Sequence, residues 1–154
     1  MGRPEFDLQE AHQWFAVSCF NATWEYIDAR ERTPEEEEKM LHSTVAPAWH
    51  WSQRKDCTPQ NLSIAYWQIS RVHALCGRGS EAVRYGRLCL DVSREDGVDP
   101  FALAYAYEAL ARGEAVAGNK RSSDDWLAEA SEAAEAIADE DTKKMVVDDL
   151  ATIG

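Results

Sequence analysis

The stretch Ser70-Arg71-Val72-His73-Ala74-Leu75-Cys76-Gly77 returns 41 residues later as Ala111-Arg112-Gly113-Glu114-Ala115-Val116-Ala117-Gly118. Arg, Ala and Gly recur in place, and Leu75 is answered by the aliphatic Val116. Each copy is a run of helix formers that stops at a glycine, the residue that best closes a helix in the left-handed conformation. A helical unit that recurs at this interval cannot bury its apolar face alone. Neighbouring units bury it for one another by stacking.

Working outward, the breaks fall at regular intervals. Thr33-Pro34, Thr58-Pro59, Gly77-Arg78-Gly79, Gly97 to Pro100 and Gly118-Asn119 divide the chain. The pieces between them carry apolar residues at helical spacing, and strand-like alternation is absent. Thr33-Pro34 offers an N-cap and a first helical proline, with Glu36 placed to complete a capping box. Thr58-Pro59 and Asp99-Pro100 repeat the device. The predicted helices are 7–30, 34–54, 59–76, 79–96, 100–117, 121–138 and 140–151. Pro47 predicts a kink or break in the second. The acidic run Glu35 to Glu38 reads as a solvated helix start, where the helix dipole favours negative charge. The expected architecture is all-α: one domain, 1–154, of stacked antiparallel helical hairpins. The seventh helix, with Met145, Val146, Val147 and Leu150 on one side, is expected to cap the array.

The segment Gly79-Ser80-Glu81-Ala82-Val83-Arg84-Tyr85, continuing to Leu88-Cys89-Leu90, resembles the second helix of a tetratricopeptide repeat. Ala109-Leu110-Ala111 through Gly118 resembles a first helix of that repeat. The resemblance covers 61–138 as two units and implies a concave, partner-binding face lined by the first helix of each pair. It departs from the family in a longer period and in Gly86, which stands where the second helix has an aromatic residue. The order of motifs, Ala11-His12 with Trp14-Phe15-Ala16-Val17 and later Ala106-Tyr107-Glu108-Ala109-Leu110-Ala111, also resembles a family of bacterial proteins of no known activity.

Composition narrows the function classes. The 154 residues carry 16 basic and 28 acidic side chains, a net charge of -12. A nucleic-acid binder needs a basic surface, and an anionic membrane would repel this chain. No stretch reaches the roughly 18 apolar residues that span a bilayer. The first ten residues lack an apolar signal core, so a cytoplasmic location is expected. Cys19, Cys76 and Cys89 fall within apolar helical patterns and read as small buried thiols, and Cys57 as an exposed loop thiol.

No metal-binding spacing links His12, His42, His50 and His73, no phosphate loop is present, and no nucleophile motif is present. No cofactor or metal is expected. The sharper signal is polar side chains on apolar faces. At 100° per residue Glu114 falls ~20° and Glu108 ~140° from Leu103, on the small-residue side of the fifth helix. His73 matches Glu114, and Arg71 matches Arg112, across the repeat. Trp67, Arg71, His73, Tyr107, Glu108, Arg112 and Glu114 are therefore the candidate binding residues, bordering one groove between the third and fifth helices. Two readings remain open for them: a structural ion network, or contacts to a ligand. The function expected is non-enzymatic binding of a protein or peptide partner of basic character, with self-association a further option. The alternative is a small-molecule binder or enzyme with a His/Glu-lined pocket between those two helices.

Overall fold

The computed structural model describes residues 5–154, and among them it contains seven α-helices and no strand. They are α1 (Leu8–Ile27), α2 (Pro34–Ser52), α3 (Pro59–Leu75), α4 (Gly79–Ser93), α5 (Pro100–Val116), α6 (Lys120–Glu135) and α7 (Glu140–Leu150). The caps act as their sequences require. Thr33 accepts from the Glu36 amide while the Glu36 carboxylate accepts from the Thr33 amide. Thr58 and Asn61 form the same reciprocal pair. Gly77 and Gly118 close α3 and α5 at φ of 70° and 83°, whereas α4 already ends at Ser93 and Gly97, at φ 83°, turns the loop that follows rather than closing the helix. The predicted helices overrun by up to three residues, because end turns fray where the cap ends the ladder. α2 continues through Pro47 as one helix rather than breaking into two.

Consecutive helices pair as hairpins α1/α2, α3/α4 and α5/α6, and α2 packs on α3 and α4 on α5. α3 also touches α1 and α5, so α1, α3 and α5 form an inner layer. α4 and α5 approach closely through glycine. A methyl group on Gly113 would lie 2.9 Å from the Val83 amide nitrogen, and one on Gly86 3.1 Å from the Leu110 side chain. Leu110 thus fills the volume an aromatic residue at position 86 would need. Two hydroxyl bonds tie the hairpins across their crossings. Ser70 donates to the Ala82 carbonyl, and Ser123 donates to the Ala111 carbonyl, both at 2.8 Å. These positions correspond at a shift of 41, with the donor moved to the other helix of the pair.

α7 covers the end of the array. Val146 and Leu150 are buried against Ala104, Ala130, Ala134 and Ile137. Of the cysteines expected to be buried, only Cys89 is; Cys19 and Cys76 are half-buried, and so is Cys57. Cys76 caps the end of α3, and Cys19 lies on α1, packed among the described helices mainly on α2. Burial pushes the Cys89 thiol up to about 11, against the opposing bonds from Ser63 and Ser93. No described helix is long and apolar enough to cross a membrane.

Candidate functional site

Glu108 sits mid-way along α5 with no exposed surface. A buried carboxylate needs donors on both oxygens. Trp67 Nε1 donates to Oε2 at 2.9 Å. Arg71 and Arg112 donate to Oε1 at 3.1 and 2.6 Å. Trp67 and Arg71 are one turn apart on α3, and Glu108 and Arg112 one turn apart on α5, so the two pairs face each other. The cluster extends to α7. Arg112 also donates to the Asp149 carbonyl and to the Thr152 hydroxyl, at 3.0 and 2.8 Å. Arg71 stands 3.9 Å from the Asp149 carboxylate, which accepts from the Tyr105 hydroxyl at 2.9 Å. Burial and the adjacent Asp149 hold the Tyr105 hydroxyl firmly protonated, with its pKa raised.

Four of the seven sequence-derived candidates therefore meet: Trp67, Arg71, Glu108 and Arg112. The other three lie elsewhere. His73 is buried under α4, stacked on Tyr85 with ring centroids 5.5 Å apart. Tyr107 stacks on Trp126 of α6 at 5.8 Å. Glu114 accepts from the Asn119 side chain at 2.7 Å, at the close of α5. No His/Glu-lined pocket forms between the third and fifth helices from these residues.

What does open on the inner layer is apolar. A half-open cavity of about 230 Å³ is lined by Phe20 and Trp24 of α1, Trp67 of α3, Phe101 and Tyr105 of α5, and Met145 of α7, among others. Trp67 stands 5.9 Å from Trp24 and 5.3 Å from Tyr105, centroid to centroid, so its ring is one wall while its N–H is spent on Glu108. Asp149 is a polar side chain on the rim. Sequence reasoning missed Phe20, Trp24, Phe101, Tyr105, Met145 and Asp149. The i,i+4 pairs Phe20/Trp24 and Phe101/Tyr105 were a readable signal, since each puts two side chains on one face.

No family model matches the chain, and neither curated proteins nor solved structures give a match.

Proposed function

We propose that this chain is a non-enzymatic binding module whose inner layer, α1, α3 and α5, receives a protein or peptide partner, with one bulky apolar side chain seated between Trp24, Trp67, Tyr105 and Met145. The observation that carries this reading is the half-open aromatic cavity on the face where a helical array offers its groove. Its volume is below the roughly 300 Å³ at which small-molecule sites begin, and it suits a single anchoring side chain. Catalysis is disfavoured because both Glu108 oxygens are occupied and His73 is remote from the cavity. The net charge of -12 favours a partner with basic residues beside the anchor. α7 places Asp141, Met145 and Asp149 along one face, at i, i+4 and i+8, so carboxylates flank the apolar wall. The same reading takes the hairpin array as tetratricopeptide-like.

The test is an NMR titration of the Trp24 and Trp67 indole resonances with an acetylated, amidated peptide of one phenylalanine between lysines. Both resonances should move, and the alanine analogue of the peptide should leave them in place. Unmoved indoles at millimolar peptide would overturn the assignment of the groove.

A further inference from the structure

The first hairpin has a composition unlike the rest of the molecule. Ala11 to Trp24 on α1 and Met40 to Gln53 on α2 are two stretches of 14 residues without a single Asp, Glu, Lys or Arg, in a chain with 29% charged residues. The helices run antiparallel side by side, so the two uncharged stretches form one surface. Met40, Leu41, Thr44 and Pro47 are buried, and Thr44 and Phe20 are both tied to Gln68 of α3. That accounts for one side of the hairpin.

The other side is apolar and exposed. Seven of the eleven large apolar side chains standing exposed among the described residues lie in 6–49. Trp14 is 64%, Trp49 57% and Phe15 45% exposed. They form a connected cluster. Trp14 packs edge-on against Phe15 at 5.0 Å, Phe15 stacks on His50 at 5.3 Å, and His50 meets both Trp49 and His12. Nδ1 of His12 and Nδ1 of His50 are 2.8 Å apart and share a hydrogen bond, so each ring spends a polar atom on the other. Leu8 and Val45, each one turn before a member of the cluster, extend the surface along both helices.

We propose that this face of α1 and α2 is the interface of a homodimer, its occupant a second copy of the same chain. Charge is the argument. A two-fold interface sets a patch against its own copy, so a patch rich in one sign of charge meets the same sign. In a chain of net charge -12 most of the surface therefore repels its copy, whereas the two uncharged stretches carry no carboxylate to do so. The residues bounding the two stretches are Glu10 and Glu25 on α1, Lys39 on α2 and Arg54 just beyond its end. A basic partner would gain nothing from a neutral patch. The size fits a weak, concentration-dependent dimer: the 14-residue uncharged stretches make a face ~21 Å by ~20 Å, so two copies cover ~800 Å², the range of transient contacts. Phe20 and Trp24 point to the opposite side of α1, so a dimer leaves the aromatic cavity open.

Light scattering on the full chain tests this. Mass should rise with concentration from 17.3 kDa to twice that value by about 100 µM, as a modest interface requires. Val45→Glu and Trp49→Glu should each hold the mass at the monomer value at least tenfold further up in concentration, with unchanged helical circular dichroism. Val147→Glu, an exposed position on α7, should dimerise like the parent. Should a glutamate variant unfold, acrylamide quenching of tryptophan in the parent chain replaces it and should fall as concentration rises. A parent chain monomeric at about 100 µM, a dimer that survives both glutamates, or a monomer that floats with phosphatidylcholine vesicles would each overturn the proposal.

Discussion

Trp67 and Glu108 hold equivalent places in successive hairpins, 41 residues apart, and in the folded chain the indole of the first donates to the carboxylate of the second at 2.9 Å. The repeat thus supplies both halves of its own polar core. Arg71 and Arg112, also equivalent, close on the same carboxylate from either side.

Removing the shared acceptor should be costly. Glu108→Gln leaves two half-buried guanidinium groups facing a buried amide. The expected loss is about 3 kcal/mol or more, seen as a fall in Tm of about 6–12 °C for a chain of this size. Arg71→Ala should cost less, since Arg112 and Trp67 still serve Glu108. Arg112→Ala should fall between them because it also frees the Asp149 and Thr152 contacts. Differential scanning calorimetry of the three variants gives the order.

Acid should weaken the fold before any carboxylate titrates. Burial holds His73 below its ordinary 6.5; Arg78 and Arg84 add to this, and Glu81 works against it. Burial and the neighbouring His12 do the same to His50. Just below pH 6.5 the unfolded chain binds more protons than the folded one, so stability falls as pH drops through that value. Urea midpoints at about pH 7.5 and about pH 5.5 should differ, and His73→Phe should reduce the difference. Glu36 and Asp139, both held below the usual carboxylate range by hydrogen bonds at helix starts, lose their contribution only at lower pH.

Loss of α7 should be felt across the array. Without residues 140–154, Ala130, Ala134 and Ile137 lose the cover of Val146 and Leu150, and Arg112 loses two of its partners. A truncated chain should melt several degrees lower and bind more of an apolar dye than the full chain does.

Two glycine substitutions separate packing from backbone strain. At Gly97 a methyl group meets nothing, so Gly97→Ala costs only the strain of a positive φ, about 1 kcal/mol. At Gly113 it would press on α4 backbone at 2.9–3.1 Å, which cannot give locally. Gly113→Ala should therefore be the more destabilising of the two, as chemical denaturation would read.

The helices were legible because their punctuation is local: Thr33-Pro34, Thr58-Pro59, Asp99-Pro100 and the terminal glycines Gly77 and Gly118 each act within one turn. The repeat told which helices would pack. The site was legible in half. Trp67, Arg71, Glu108 and Arg112 obey the 41-residue shift and meet. His73 lies at the edge of its stripe, where a residue turns to one neighbour or the other according to interhelical rotation, and Tyr107, though within its stripe, turns to α6. Their partners, Tyr85 and Trp126, stand on the second helix of each pair. Asp149 and Met145 were out of reach for another reason. Nothing in α7 states that its polar edge will return to the α3/α5 cluster.

That return contact has a consequence for the order in which the molecule becomes competent. The ribosome makes α1, α3 and α5 before it makes Met145 and Asp149, the residues that wall one side of the cavity. During synthesis the nascent chain therefore presents an aromatic trough, Phe20, Trp24 and Phe101, with one bank missing. Chaperones recognise such surfaces, and the window lasts until α7 docks. A chain cut short within α7 would fold most of its hairpins yet display this trough permanently.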